Sequence, residues 1–267
     1  MSFRYWFTTI GIALIHLFVV IALWLGPTKN DWLIFFCIYP FAAIGVGIAM
    51  HRYFAHKAFA TSRLFRFVLA LCACLAFGNA VHFAGKHRFH HRFADREGDV
   101  HAPHQGFWQC WINSLIDCGY SQEQIEAEVA EYLSSPELRY LYRFSMVPGL
   151  LLCTGLFLWG GFTTMAIGGL LSPLLLLHQS SAVNYCCHRW GQRPYKTVER
   201  STNNVLVALL TYGEGWHNNH HKFPRSAQAG LHWWQLDIFY LIICFFEITG
   251  LVWDVRRIDY RRIEAAK

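Results

Sequence analysis

Long apolar stretches alternate along the chain with polar stretches that carry most of the histidines. The apolar segments lie at about 5–26, 31–50, 64–81, 145–163 and 166–187, with a weaker one at 238–252. Several approach the ~20 residues that a helix needs to cross a bilayer. The run Gly26-Pro27-Thr28-Lys29-Asn30-Asp31 is a short polar turn, so the first two segments form a helical hairpin. The fourth and fifth meet at Gly160-Gly161 and form a second hairpin. Between the hairpins, 82–144 is polar and rich in Arg, His, Asp and Glu. Within it, Ser121-Gln122-Glu123-Gln124 has capping-box spacing and predicts a helix over 121–133. Trp233, Trp234 and Tyr240 predict an interfacial amphipathic helix over 232–250.

Composition sharpens this picture. The chain is 54% hydrophobic and only 15% charged, and its mean hydropathy is positive. That is too apolar for an ordinary soluble domain of this size, which makes a multi-pass membrane protein the first reading. The run at 5–25 is as long as a span and leads straight into another apolar segment, so it reads as a retained helix rather than a cleaved signal. The nine cysteines are scattered, without a CxxC pair, and mostly among apolar neighbours; they read as small core residues. A net charge of +6 reads as basic loops on one membrane face, not as a nucleic-acid-binding surface.

Fifteen histidines are the anomaly. Three clusters hold eight of them: His51-Arg-Tyr-Phe-Ala-His56, His87-Arg-Phe-His90-His91 and His217-Asn-Asn-His220-His221. Residues three and four apart share a helix face, so each cluster can present two or three imidazoles to one point. The 51/56 spacing of five fits a helix end that loosens. One shared site requires all three clusters on one side of the membrane. The single apolar segment between 51 and 87 is therefore expected to re-enter or lie at the interface, whereas the hairpin between 91 and 217 returns the chain to the same side. Four spanning helices satisfy that parity. The cluster side also carries nearly all the Lys and Arg, among them Arg52, Lys57, Arg63, Arg66, Lys86, Arg88 and the tail Arg256, Arg257, Arg261 and Arg262, which places it in the cytoplasm.

Eight imidazoles exceed what one ion takes, which predicts two metals. Imidazole suits Zn, Cu, Fe and Ni alike. A closed structural zinc site needs only four ligands, so an O2-binding pair of irons accounts better for the surplus.

These clusters, in this order and spacing, resemble those of the membrane-bound fatty acid desaturase superfamily, with the acyl-CoA delta-9 desaturases of bacteria most similar. The resemblance spans about 45–257. It includes Asp95, Asp99, His101, Pro103 and Gly106-Phe107-Trp108, then Pro136-Glu-Leu-Arg139, Asn184-Tyr-Cys-Cys-His188-Arg-Trp-Gly191 and Arg200-Ser-Thr-Asn-Asn204. The densest block is Gly213-Glu-Gly-Trp-His217-Asn-Asn-His220-His221-Lys-Phe-Pro224.

The resemblance implies an all-α integral membrane fold of four transmembrane helices in two hairpins, with a cytosolic helical cap around a di-iron site. As one desaturase domain over 1–267 it divides into a hairpin at about 5–50, a re-entrant or interfacial segment at 64–81, and a cytosolic segment at 82–144. A second hairpin at 145–187 and a cytosolic histidine segment with an interfacial helix at 188–267 complete it. The implied ligands are His51, His56, His87, His90, His91, His188, His217, His220 and His221, with Asn184 acting through a water. Of these, His51, His56, His91 and a further pair are implied to share one iron. Carboxylates such as Asp95, Glu199 and Glu214 are expected to fix the remaining ring nitrogens.

The implied chemistry is O2-dependent desaturation at a mid-chain position, delta-9, of an acyl chain carried on CoA, acyl carrier protein or lipid. Its cofactors are two Fe ions cycling between Fe2+ and Fe3+. The electrons come from an external ferredoxin or small cytochrome with its reductase. The implied location is a bacterial inner membrane, with the site facing the cytoplasm.

The chain departs from the family pattern at Phe83, where tryptophan is usual, at Gln109-Cys110, at Val100 and at Ser181. Phe83, Trp108 and Ser181 are candidate substrate-contacting residues. These departures leave open a diverted relative: an acyl hydroxylase, an acetylenase or a decarboxylating oxidase. A histidine-rich metal transporter is the remote alternative; it would place ligands at the bilayer midplane in repeated halves. Of the remaining histidines, His178 reads as a supporting or packing residue, His101 as structural, and His82 and His104 as surface or entrance residues. His16 and His232 carry no assignment.

Overall fold

A computed structural model describes residues 3–113, 116 and 118–266. The first two apolar runs form α1 (Phe3–Leu25) and α2 (Lys29–Ile44). Gly26 turns the chain at φ 83° and Pro27 cannot continue α1. Thr28 then caps α2: its hydroxyl accepts from the Asp31 N–H at 3.3 Å while its own N–H donates to the Asp31 carboxylate at 2.8 Å. The second run is longer than the expected 31–50. It stays helical from Lys29 to Ala55, and its last eleven residues, Gly45–Ala55, are π-helical. Twenty-seven residues rise about 40 Å, more than the ~30 Å hydrocarbon core.

The run at 64–81 is two helices, not one segment. α3 (Arg63–Leu75) and α4 (Ala80–Phe93) meet at 84°, because Phe77 takes a positive φ and Asn79 starts a new helix by accepting from the His82 N–H at 3.0 Å. The α3 backbone lies directly against Gly45: a Cβ there would stand 2.4 Å from the Cys72 and Ala73 backbone. This close approach draws α3 tightly onto the histidine end of α2.

The second pair comprises α5 (Met146–Thr164) and α6 (Leu171–Cys186), joined by a π-helical turn at Met165–Leu170. Gly161, at φ 78° and ψ −163°, occupies a region open essentially to glycine alone. The chain reverses there. Gly168 packs on Leu156 and Gly169 on Cys153, contacts that a straight helix cannot make. The Thr164 hydroxyl donates to the buried Asp31 carboxylate at 2.6 Å, tying the two hairpins together.

Between them, the helix expected over 121–133 is divided. Ser121 makes the capping box, but Gln122–Glu128 and Ala130–Leu133 are separate helices because Val129 leaves the helical region at φ −126°. Ile125 and Val129 both face Gly85, the one position of α4 without a side chain to obstruct them. α7 (His217–Lys222) follows as a single short helix. The interfacial helix is shorter than 232–250: α8 spans Ile238–Ile248, and the residues before it are irregular, with Trp233 almost fully exposed. A two-residue antiparallel pairing, Ala60↔Trp253 and Thr61↔Val252, fastens the segment after α8 beside the first histidine cluster.

The larger core surrounds the π-helical end of α2, with α3, α4 and α8 packed on it. A smaller core lies between the hairpins. Outward side chains of α1, α2 and α5, such as Trp24, Phe36, Leu151 and Leu158, are exposed. So broad an apolar surface fits lipid rather than water.

Candidate metal centre

The π-helical end of α2 explains the five-residue spacing of its histidines. In a π-helix the bond runs from residue i+5 to residue i, and here the His56 N–H donates to the His51 carbonyl at 3.2 Å. The two side chains consequently leave the same side. α4 carries His87, His90 and His91; α7 carries His217, His220 and His221; His188 follows the end of α6.

These side chains form two groups of four: His51, His56, His87 and His220, and His90, His188, His217 and His221. Their Nε2 atoms converge. In the first group His56 and His87 lie 2.9 Å apart, and His51 and His220 lie 3.0 Å apart. In the second, His217 is 3.0 Å from both His188 and His221, and His90 is 3.3 Å from His221. His91 joins the first group, 2.9 Å from His220 and 3.1 Å from His87.

Each H-x-x-H-H cluster is therefore split between the two groups, two of its imidazoles serving one point and the third the other. His87 and His91, four apart, face the first group while His90 faces the second. His217 and His221 face the second while His220 faces the first. At 3.6 residues per turn, neighbours i+3 and i+4 fall on opposite sides of residue i. One short helix can thus feed two adjacent sites.

Carboxylates stand behind the rings. Asp99 lies 2.8 Å from His90 Nδ1, Asp95 2.9 Å from His188 Nδ1 and Glu199 3.5 Å from His221 Nδ1, while Glu214 contacts His51 Nδ1. A neutral imidazole has one N–H. Where Nδ1–H faces a carboxylate, the lone pair must sit on Nε2. Nε2 lone pairs that converge repel one another and attract a cation, so this donor set fits a bound metal in each group. Burial, then the charge of neighbouring imidazoles, holds His217, His220 and His221 well below the usual histidine range, which keeps them neutral and ready to ligate. Burial alone would raise the Glu214 carboxyl; His51 and Arg52 outweigh it and bring it down to about 2.

Sequence reasoning anticipated Asp95, Glu199 and Glu214 but not the pairing of Asp99 with His90. It also missed Arg52, whose guanidinium is buried between Glu214 and Asp237. An arginine inside an otherwise apolar histidine cluster was the available signal, because a buried charge needs a partner. Asn218 and Asn219, between the histidines of the third cluster, are buried and bonded to Tyr195, Asn203, Ala229 and Gln235.

An apolar cavity reaches the centre along α2 and α6. Val46, Gly47, Phe83, Val183 and Asn184 line it, together with His51, His87 and His217. Phe83 stacks on His87 with centroids 5.2 Å apart. Trp108 and Ser181 are not among the lining residues: Trp108 is exposed, and the buried Ser181 hydroxyl donates to the Trp111 carbonyl at 2.7 Å. His178 lies away from the centre, its Nε2 2.9 Å from that of His16 and its Nδ1 accepting from Trp111 Nε1–H at 3.0 Å. The His101 ring lies tilted at 33° against that of His90, with centroids 4.1 Å apart, His82 is half-buried beside Tyr142, and His104 is exposed.

Comparison with known proteins agrees with this geometry. The family model "Fatty acid desaturase" matches residues 30–243. The icosanoyl-CoA 5-desaturase of Limnanthes douglasii is 35% identical over 87% of this chain and 68% of its own length. The delta-9 acyl-lipid desaturase 2 of Arabidopsis thaliana is 36% identical over 83% of this chain and 73% of its own. The hex-5-enoyl-[acyl-carrier protein] acetylenase of Moorena producens is 32% identical over 97% of this chain and 85% of its own. The chain belongs to the membrane-bound fatty acid desaturase superfamily and is an oxidoreductase that acts on fatty-acyl chains.

Proposed function

We propose that the chain desaturates a fatty-acyl thioester at a mid-chain position, delta-9, using O2 at a pair of irons. The observation that carries this is the two groups of converging imidazoles at the head of an apolar cavity. His51, His56, His87, His91 and His220 would hold one iron; His90, His188, His217 and His221, with Asn184 through a water, would hold the other. Bound there, the two irons supply the O2 activation that removal of hydrogen from an unactivated chain demands.

The chain's own residues supply placement. Asp95, Asp99, Glu199 and Glu214 keep the proton at Nδ1 of their histidines and so fix each Nε2. The cavity walls exclude water and hold two neighbouring methylenes toward His51, His87 and His217. Gly47 matters here, because a Cβ would collide with the Phe239 ring at 2.0 Å and close the cavity.

In this reading the chain is one desaturase unit crossing a bacterial inner membrane four times, as two hairpins, with the centre on the cytoplasmic face. The paired helices and the one-sided Lys/Arg support it. CoA or acyl carrier protein presents the chain, and a ferredoxin or small cytochrome supplies electrons. A second reading, acetylenase chemistry on a carrier-bound chain, is favoured by the Moorena relative, which aligns over almost all of this chain.

Expression in a desaturase-deficient host, followed by gas chromatography–mass spectrometry of its fatty acids, separates the two. The expected result is a new mono-unsaturated acid that is absent with His220→Ala. An alkynyl product would favour the second reading, and no new product would count against both.

A further inference from the structure

Of the second histidine group, His217 alone also lines the apolar cavity. Oxidising power left unspent when no acyl chain fills the cavity therefore falls first on this ring. Its chain neighbour Trp216 is 2% exposed. The Trp216 ring meets that of Trp234 edge to face, with centroids 5.5 Å apart and planes at 89°. Trp234 is 50% exposed, so two indoles in contact lead from beside the ligand to the surface. Trp216 Nε1–H donates to the Leu236 carbonyl at 2.9 Å. The negative end of that carbonyl dipole faces the indole and eases removal of an electron from it. A second aromatic run starts at Tyr185, three positions before His188, and reaches the exposed Trp190 with centroids 5.7 Å apart. There the Arg189 guanidinium lies over both rings, at 5.1 and 5.8 Å, and a fixed positive charge opposes making either ring more positive. Among the described residues, no Lys or Arg lies over Trp216 or Trp234.

We infer that Trp216 and Trp234 form an escape path for oxidising equivalents, which spares His217 when O2 is reduced with no acyl chain in place. The inference rests on the desaturase reading. O2 becomes two waters by taking four electrons and four protons. With a substrate, the external donor supplies two electrons and the two broken C–H bonds supply two more. With the cavity empty, those last two must come from the protein. Trp216 gives one electron toward His217; Trp234 refills Trp216 and releases its own Nε1 proton to water. A thiol then returns an electron and a proton to Trp234. Two such passages join two thiols as one disulfide and complete the reduction, with no bond broken in His217. The sum is one O2, two donor electrons, two protons and two thiols in, and two waters and one disulfide out.

The test loads the purified full chain with iron, reduces it with two electrons per chain from dithionite, and admits O2 with no acyl substrate present. Peptide mass spectrometry then locates the added oxygen. In the wild type without thiol, oxidised indole at Trp234 should exceed oxidised imidazole at His217, and glutathione should suppress the indole product several-fold. Trp234→Phe keeps a ring in place that does not yield an electron, so oxygen addition at Trp216 and His217 should rise several-fold. Trp234→Tyr restores an oxidisable ring and should protect His217 as the wild type does. Trp190→Phe, on the other aromatic run, should leave the pattern unchanged. All three variants should melt and load metal like the wild type. Damage at His217 that ignores the phenylalanine at 234, or that Trp190→Phe raises as much, overturns the inference. Oxygen uptake by the wild type, read by electrode in the same samples, reports on the desaturase reading separately. No uptake removes that reading and the path together, whereas uptake with unchanged damage at His217 removes only the path.

Discussion

Arg52→Leu should give a protein that is much less stable and holds little metal. Arg52 is 3% exposed. Its Nε and Nη2 donate to Glu214 at 3.2 and 2.9 Å, Nη2 also donates to Asp237 at 2.8 Å, and Nη1 donates to the Ala227 carbonyl at 2.7 Å. Each partner organises something further. Glu214 contacts His51 Nδ1, and Asp237 accepts the backbone N–H groups of Ala229, Gly230 and Tyr240. One guanidinium therefore joins the histidine end of α2 to the loop before α7 and to the start of α8. Leucine would fill much of the space but leave two carboxylates without their cation. Removing one partner from a buried ion network costs about 3–5 kcal/mol. The Glu214 carboxyl, now held at about 2, would rise and loosen its hold on His51. Arg52→Lys keeps the charge but cannot span three acceptors with a planar fork, and should fall between wild type and leucine. Thermal melts in detergent, together with metal analysis, read both effects. A leucine variant that melts and loads metal like the wild type would sink this account of Arg52.

The second large effect concerns Asp95, which faces His188 Nδ1 at 2.9 Å and accepts the Arg200 N–H at 2.6 Å. Burial would raise its carboxyl, but the bonds from His188 and Arg200 outweigh that and lower it. Asp95 sits at φ 59°, a left-handed conformation that asparagine also tolerates. Asp95→Asn thus removes the charge while leaving the turn intact. Without the anion, only a neutral amide oxygen is left to hold the His188 N–H at Nδ1, and metal affinity should fall about 10–100-fold. The loss should be confined to the group holding His188. In competition with a chelator, one ion per chain should leave early and the other should stay. Simultaneous loss of both ions would show that the groups do not bind independently.

The histidine clusters made the centre legible in the sequence because metal ligation needs particular residue types at particular spacings. The polar turn over 26–31, the capping signal at Ser121 and the reversal at Gly160-Gly161 were equally legible, being local. What the sequence concealed depends on packing between distant segments. The 64–81 run reads as one stretch by hydropathy, yet Phe77 to Asn79 bend it by 84° so that α3 can lie on Gly45 while α4 turns its histidines inward. The 121–133 helix breaks at Val129 where it meets Gly85. The division of each H-x-x-H-H cluster between two groups follows from helical geometry, but only the position of the partner helix shows that both sides of α4 and α7 are used. Arg52 and Asp237 are 185 positions apart, and no local pattern links them.

Two histidine groups call for two metal ions. The most direct measurement is the metal content of the purified chain after loading with iron, by plasma mass spectrometry alongside Mössbauer spectroscopy. Two irons per chain, one for each group, with both changing oxidation state on reduction, is the predicted result. A single ion per chain, or zinc that iron does not displace and that shows no redox change, would contradict it.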